Sequence, residues 1–273
     1  MDNAKLYHKN NTLQKGDALQ CLEEYAQKIK WKNDGNTILD IGSGDGSVTT
    51  NILLKFLPSN CTRVVGSDKS DRMVQFANKY HATNLINFTT LDIEGDLPDE
   101  MRGKFNLVFS NYTLHWIIQQ EVAFTNIYNL LMRGGTCLLT FLGYIPVYTV
   151  YRILARQKKW NNWLRDIEHY VSPYHDCQDP EKVIMKMMTS IGFSNIDVRC
   201  TEKSYTYIGV EAFKNHLASI NPFKIPQELM EDFLEDYLKT VKDLKLIDYV
   251  HYNEKGSDRT RMNYRLITVF AGK

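Results

Sequence analysis

The sequence predicts an α/β protein built on a doubly wound, seven-stranded and mostly parallel sheet. An apolar strand runs into a glycine turn at 37–46, and strands then alternate with amphipathic helices up to residue 142. Two further strand-like segments follow at 196–207 and 262–271. Strands that alternate with helices need crossover connections, which join parallel strands. This alternation therefore favours a sheet with helices on both faces.

Each element follows from apolar periodicity and from the residues that begin and end helices. The seven predicted strands are 37–41, 63–68, 86–92, 105–111, 136–142, 196–207 and 262–271. The predicted helices are 17–30, 48–56, 70–79, 119–132, 180–190 and 226–244. Ser70 and Pro180 stand where a helix cap and a first helical residue are expected, and the glycines at 134–135 mark a helix end.

Two segments depart from this regular pattern. The stretch 143–180 is rich in tyrosine and tryptophan and is too long to be a simple connection. We expect one domain over 1–273, with a lid over 1–30 and cap insertions at about 143–180 and 208–245. The cap either encloses an apolar ligand or is an ordinary helical insert that packs on the sheet.

Composition narrows the class of partner. Lysine and arginine total 33 against 32 aspartates and glutamates, so no net field favours nucleic acid or an acidic membrane surface. The five cysteines lack metal-ligand spacing, which indicates reduced thiols and no metal site. The polar first 30 residues do not resemble a secretory signal, and the apolar run 137–150 is too short for a membrane span. We expect a cytoplasmic protein with a small-molecule partner, as a monomer or a homodimer.

The glycine turn carries two carboxylates, and they indicate the charge of its ligand. Asp40 and Asp45 flank the turn, so a diphosphate would meet like charge, whereas a ligand bearing a sulfonium and an ammonium would be attracted. A dinucleotide is further disfavoured because Ser47 stands where the G-x-G-x-x-G pattern has its third glycine. The turn therefore favours S-adenosylmethionine.

Acidic residues also end the next two strands. Asp68 follows the second strand at the spacing where a carboxylate meets ribose hydroxyls, and Asp92 could accept from an adenine amine with Ile93 beside it. Each acid alone is more typical of a helix cap or a solvated loop, but the set is specific. The expected cofactor site consists of Asp40, Gly42, Ser43, Gly44, Asp68, Lys69, Asp92, Ile93 and Ser110.

At these motifs the chain resembles the class I S-adenosylmethionine-dependent methyltransferases. Within them it is similar to the insect juvenile hormone acid methyltransferases over essentially its whole length. The segments that carry the resemblance are "LYHKNNTLQKGDAL", "ILDIGSGDGSVT", "GSDKSDRMV", "FSNYTLHW" and the final "VFAGK". The resemblance implies methylation of a farnesoid carboxylate, that of farnesoic acid or of its epoxide, with S-adenosylhomocysteine as the second product.

The resemblance also implies roles for three residues. Gln14 and Trp116 would hold the substrate carboxylate, and Tyr7 would cover the cofactor. Beside them His115 is either a third polar contact, a base or a packed, hydrogen-bonded histidine, and the last is favoured because a carboxylate acceptor needs no base. A carboxylic acid is already ionised at neutral pH, so two neutral N–H donors can orient it and no base is needed.

Other functions remain open from the sequence. The acceptor is either a farnesoid acid, another small carboxylic acid or a hydroxyl, and a hydroxyl would require His115 as a base. A catalytically silent relative that binds farnesoids or a protein partner is a further alternative. The acids at 40, 68 and 92 argue against that last possibility.

Overall fold

A computed structural model of the chain describes residues 3–250 and 259–273, so the first two residues of the predicted lid lie outside it. The strands are β1 (Asn36–Ile41), β2 (Cys61–Asp68), β3 (Ile86–Thr90), β4 (Phe105–Asn111), β5 (Leu131–Leu142), β6 (Ser194–Ile208), β7 (Ile247–Val250) and β8 (Arg259–Gly272). The α-helices are α1 (Ala4–Asn10), α2 (Thr12–Tyr25), α3 (Ser47–Asn51), α4 (Asp71–His81), α5 (Gln120–Leu130), α6 (Pro146–Ala155), α7 (Asn161–Leu164), α8 (Pro180–Ile191), α9 (Val210–Ile220) and α10 (Met230–Asp243).

The strands form one sheet in the order β3-β2-β1-β4-β5-β8-β6, and β7 pairs with β8 beside this path. The first five strands in this order are parallel to one another, whereas β8 is antiparallel to both β5 and β6. The predicted doubly wound, mostly parallel sheet is confirmed. The short strand β7 was not predicted, because four residues are too few to show a clear period of two.

Helices cover both faces of the sheet because successive strand residues point to opposite sides. On β1, Ile38 joins the apolar core beneath α2, α3 and α4, while Leu39 joins the core beneath α5 and α8. Both residues are completely buried. Strands that are buried on both faces have apolar residues at successive positions, and these apolar runs allowed the strands to be predicted from the sequence.

Several predicted element boundaries differ from the observed ones. The helix expected over 119–132 ends at Leu130, and β5 begins at the next residue. The helix expected over 48–56 is α3 followed by a 3-10 turn, Leu53–Phe56. Helix α1 was not predicted because it is mostly polar, and its first turn is held by the Asn3 side chain, which accepts from the Leu6 amide at 3.0 Å.

A third apolar core lies in the cap region and joins α6, α9 and α10 to the ends of β6 and β8. Long-range polar contacts help to connect α1 to the rest of the molecule. His8 Nδ1 lies 2.5 Å from Asp45 Oδ2 in the glycine turn, and the carbonyl of Asn10 lies 3.2 Å from His216 Nδ1 on α9. Within the two described ranges, no helix has the length and apolar character that crossing a membrane requires.

The order of the strands locates the ligand crevice. The chain runs from β1 to β2 and β3 on one side of the sheet and then crosses back to β4 on the other side of β1. The order of the strands therefore reverses between β1 and β4. Open α/β sheets bind ligands at such a switch point, outside the carboxyl ends of the strands. The glycine turn follows β1 and the segment from Tyr112 to Trp116 follows β4, so both meet at this edge.

Candidate active site

The carboxyl edge of the sheet opens into a cavity of about 660 Å³, a typical volume for a small-molecule site. We call it the large cavity. The predicted site residues that line it are Gly42, Gly44, Asp68, Lys69, Asp92, Ile93 and Trp116. Apolar side chains that follow β3 and β4 in the chain complete its walls, including Leu91 and Ile117.

The glycine turn is fixed by contacts that only glycine permits. Gly42 has a φ of +71°, and a Cβ placed on it would lie 1.9 Å from Thr113 Oγ1. Asp68 holds the far side of the turn, since its Oδ2 accepts from the Gly44 amide at 3.0 Å and its Oδ1 accepts from the Ser70 amide at 2.9 Å. Burial raises the pKa of Asp68. Each carboxylate oxygen keeps a second lone pair for a ligand hydroxyl.

The walls of the large cavity carry more acid than base. The charged residues that line it are Asp68, Lys69, Asp71, Arg72, Asp92 and Glu94. Lys69 Nζ lies 2.6 Å from Asp92 Oδ2, and both side chains reach solvent at the rim. The excess of carboxylates suits a cationic ligand and opposes a diphosphate.

Asp40 and Asp45, the two carboxylates that flank the turn, do not line this cavity. The prediction that both would face the ligand and attract its positive charge is therefore wrong. Asp45 faces the N-terminal helices, where its Oδ2 contacts His8 and its Oδ1 accepts from Ser47 Oγ at 2.9 Å. Asp40 points towards α3 and accepts from Thr49 Oγ1 at 2.6 Å. Burial raises the pKa of Asp40 to about 7. The acids at the ends of β2 and β3 therefore supply most of the direct charge on the wall.

Ser43 and Ser110 also lie away from the wall of the large cavity. Both are buried, and Ser110 Oγ donates to the carbonyl of Ile41 at 2.8 Å. The backbone amide of Ser43 donates to the carbonyl of Ser67 at 2.8 Å. These contacts tie the glycine turn to β2 and β4, so the two serines support the turn and do not face the ligand space.

A second, much smaller cavity adjoins the first. It measures about 30 Å³, room for about one water molecule, and we call it the small cavity. Gln14 and His115 line it, and Tyr7, Tyr112 and Trp116 line both cavities. The three residues assigned to the substrate carboxylate, Gln14, His115 and Trp116, are thus brought together at the junction.

Gln14 lies on α2 and is 3% exposed. Its side-chain oxygen has no hydrogen-bond partner among residues 3–250 and 259–273. The backbone of the same residue is fixed, because its carbonyl accepts from Asn111 Nδ2 at 3.2 Å. A buried polar atom without a partner is uncommon in proteins. This oxygen is an acceptor and suits a ligand group that donates, whereas a ligand carboxylate would have to accept from the Nε2–H₂ group of the same carboxamide.

His115 is neutral where it lies. Burial lowers its pKa to about 3, and its Nδ1 accepts from the Leu142 amide at 3.4 Å. The ring proton consequently resides on Nε2. Its ring centroid is 5.0 Å from that of Trp116, whose ring meets Tyr148 edge-on at 6.4 Å. His115 can donate a hydrogen bond but is a weak base near neutral pH.

The sequence interpretation did not assign several residues that line the large cavity. These are Asn111, Tyr112, Thr113, His169, Tyr170 and Pro222. Asn111 ends β4, and Tyr112 and Thr113 follow it. Tyr112 has a φ of +59°, which is rare for a bulky residue and typical of functional sites. Their position at a strand end could have identified them. The last three come from the cap, where no local motif marks them.

Comparisons with known proteins agree with this arrangement. A family model described as a methyltransferase domain matches residues 32–192. Over its full length the chain is 50% identical to juvenile hormone acid O-methyltransferase of Bombyx mori, of which it covers 98%. It is 36% identical over its full length to the protein of the same name from Drosophila melanogaster, of which it covers 93%.

Solved structures share the fold at low sequence identity. A putative methyltransferase from Bacillus halodurans superposes with a TM-score of 0.57 at 18% identity, over 92% of this chain and 98% of that one. Phosphoethanolamine N-methyltransferase 2 of Haemonchus contortus, in complex with S-adenosylmethionine, gives a TM-score of 0.52 at 15% identity, over 94% of this chain and 52% of that one. These structures share the fold alone, whereas the two full-length relatives and the family model show that the chain belongs to the family of juvenile hormone acid O-methyltransferases.

Proposed function

We propose that this chain transfers a methyl group from S-adenosylmethionine to the carboxylate of a farnesoid acid, either farnesoic acid or its epoxide. The observation that carries the proposal is the shared wall of the two cavities. Tyr7, Tyr112 and Trp116 line both, so a ligand in the large cavity and a carboxylate in the small one would meet there. The names of the two full-length relatives support the same reaction.

The large cavity suits the methyl donor by size and by charge. Asp68 and Asp92 would accept from its ribose hydroxyls and its adenine amine, and Ile93 would contact its base. The donor supplies a methyl carbon on a cationic sulfur, and the carbon–sulfur bond breaks with its electrons left on sulfur. The acidic wall attracts this cation when it enters.

The small cavity would orient the acid and exclude water from it. The carboxylate is ionised at neutral pH, so one of its oxygens can attack the methyl carbon directly. Gln14 and the Trp116 indole would donate to the carboxylate, and His115 would add a third donor through Nε2–H. These donors are all neutral, so they orient the substrate carboxylate without neutralising its negative charge.

The proposal predicts the activity of the purified protein. It should methylate farnesoic and epoxyfarnesoic acids in preference to short fatty acids, as measured by the methyl ester formed. Each buried CH₂ of the tail contributes about 0.8 kcal/mol, so shortening the chain should lower kcat/KM steeply. A preference for the short acids would overturn the assignment of the substrate.

Two substitutions test the carboxylate contacts. Gln14→Ala and Trp116→Phe each remove one donor to a charged group, so kcat/KM should fall about 10- to 100-fold. Cofactor affinity, measured by calorimetric titration, should change little. Gln27→Ala is a matched control because Gln27 is exposed just beyond α2. If Gln14→Ala abolishes cofactor binding instead, its proposed role is wrong.

A hydroxyl acceptor is less well supported than a carboxylate. It would need a base, and the pKa of His115 is lowered to about 3 by burial. For a carboxylate acceptor we expect no ionisation of this histidine in the pH profile of kcat/KM near neutrality. The third alternative, a silent relative, predicts no heat on titration with S-adenosylmethionine.

A further inference from the structure

Tyr151 lines the small cavity, and its hydroxyl is buried with no partner among the residues that the structure describes. The residue lies on α6, lines the cavity and is 2% exposed. In the part of the chain that the structure describes, its hydroxyl oxygen makes no hydrogen bond. Burying a hydroxyl without a partner costs free energy, and most buried hydroxyls are paired. The position of this hydroxyl therefore requires an explanation that the reaction at the carboxylate does not supply.

Tyr151 lines the same cavity as the residues assigned to the carboxylate, but it lies on helix α6 of the cap region. From Trp116 the cavity wall continues to Tyr148, whose ring centroid is 6.4 Å away. Tyr151 follows Tyr148 by three residues on α6, about 4.5 Å further along the helix. An acid whose carboxylate lies at Gln14 and Trp116 would therefore extend its tail towards Tyr151.

The Tyr151 ring is held firmly. It meets Phe223 edge-on at 5.2 Å and Tyr237 at 5.6 Å, and it stacks on Phe233 at 6.1 Å. Burial raises the pKa of its hydroxyl, so the group stays protonated and can donate. Besides polar residues such as Tyr148 and His216, the cavity wall includes the apolar side chains of Val147 and Ile220. The site thus offers a fixed hydrogen-bond donor on a wall that can also contact a hydrocarbon chain.

We propose that Tyr151 is a specificity-determining residue whose hydroxyl donates to an oxygen on the substrate tail, such as the epoxide oxygen of epoxyfarnesoic acid. An epoxide accepts a hydrogen bond but cannot donate one, and it lies at the end of the chain remote from the carboxylate. A hydrocarbon tail would leave the hydroxyl unpaired. The enzyme should therefore favour the oxygenated acid, because a site built around a buried donor discriminates against a ligand that lacks the acceptor.

This inference rests on the proposed function. A competition experiment with two acids tests the inference separately from the proposed function. Wild-type protein, Tyr151→Phe and Tyr207→Phe are each given equal amounts of farnesoic and epoxyfarnesoic acids, and the two methyl esters are measured. Tyr207→Phe is a matched control, since this tyrosine is 5% exposed and its hydroxyl also lacks a partner within the described ranges. It does not line the small cavity.

We expect Tyr151→Phe to lower the ratio of epoxy ester to plain ester about tenfold, the effect of one lost hydrogen bond. The rate with farnesoic acid should stay within about twofold of wild type, and Tyr207→Phe should leave the ratio unchanged. An unchanged ratio in Tyr151→Phe, or an equal loss for both acids, would overturn the inference and leave the proposed function standing. If wild-type protein methylates neither acid, the proposed function itself fails.

Folding of the variant is checked separately. Replacing an unpaired buried hydroxyl by hydrogen keeps the ring and removes a desolvation cost, so Tyr151→Phe should melt at or slightly above the wild-type temperature. A large fall in Tm would indicate that the hydroxyl has a structural partner, and this too would contradict the inference.

Discussion

Asp17, on α2 and one turn after Gln14, is the centre of a buried polar network that Asp17→Asn should disrupt. Its Oδ2 accepts from the hydroxyls of Tyr112 at 2.5 Å and of Tyr264 at 2.9 Å, and its Oδ1 accepts from the ammonium of Lys203. Asparagine has nearly the same shape but no charge. The two hydroxyls would then lose their anionic acceptor, and the ammonium would lose its counterion.

The expected cost follows from how deeply the pair is buried. The side chains of Asp17 and Lys203 are 6% and 17% exposed, and breaking a buried ion pair by removing one partner costs about 3–5 kcal/mol. Lys203 keeps a hydrogen bond to Gln20 Oε1 at 2.8 Å, which favours the lower end. A loss of about 3 kcal/mol in the free energy of unfolding should lower Tm by roughly 6–12 °C in a chain of this size.

Thermal unfolding of three variants measures this cost. Asp17→Asn should show the full loss, and adding Lys203→Met should recover part of it by removing the unpaired cation. Asp34→Asn is the control, because Asp34 is exposed and its substitution should leave Tm nearly unchanged. A fall in Tm of less than about 3 °C for Asp17→Asn would show that the network stabilises the fold much less than this reasoning requires.

Two further predictions concern the glycine turn and the dependence of stability on pH. Gly42→Ala should abolish cofactor binding in a calorimetric titration, because its Cβ would overlap Thr113, whereas Gly134→Ala, also at positive φ but with open space around it, should bind normally. Burial lowers the pKa of four histidines from 6.5: to about 3 for His115, to about 4 for His175 and His216, and in the same direction for His81. Below pH 6.5 the unfolded chain therefore binds more protons at these histidines than the folded one. Their contribution to the free energy of unfolding should be complete above this pH and fall as the pH drops, by up to about 1.4 kcal/mol per pH unit for each histidine. Burial raises the pKa of Asp40 and Asp68, which acts in the opposite direction and offsets part of this loss. Unfolding by urea between about pH 7.5 and about pH 5 measures the net effect, and constant stability over this range would contradict it.

The central sheet could be predicted because its signals are local. Each strand is an apolar run, each helix has its own period, and Gly42 and Gly44 mark the turn whatever the rest of the chain does. The same holds for Asp68 and Asp92, whose position at strand ends decides which edge of the sheet they occupy. The carboxyl ends of parallel strands lie at the same edge of the sheet, so residues that follow successive strands come together in the site.

The orientation of Asp45 could not be predicted from its neighbours along the chain. Its side chain is oriented by His8 on α1 and by Asn11 between α1 and α2. Both residues precede Asp45 by more than thirty positions, and the sequence did not reveal how these two helices pack. The turn residue Ser47 is its local partner. Local sequence thus predicted that a carboxylate stands at the turn, while the long-range contacts decided which way it faces.

The contrast between the two cavities has the same physical origin. The large cavity lies at the ends of β1, β2 and β4, which are held by backbone hydrogen bonds on both sides, and of the edge strand β3. Its walls are therefore mostly rigid, and its volume is already that of a ligand site. The small cavity is enclosed by separate segments, among them Gln14 on α2, Tyr151 on α6 and His216 on α9, and it has room for little more than a water molecule. Side chains that meet only through helix packing can separate at lower cost than strands of one sheet. A farnesoid tail must therefore enter by displacing cap side chains, and the length and oxygenation that the enzyme accepts depend on how α6 and α9 repack around the tail.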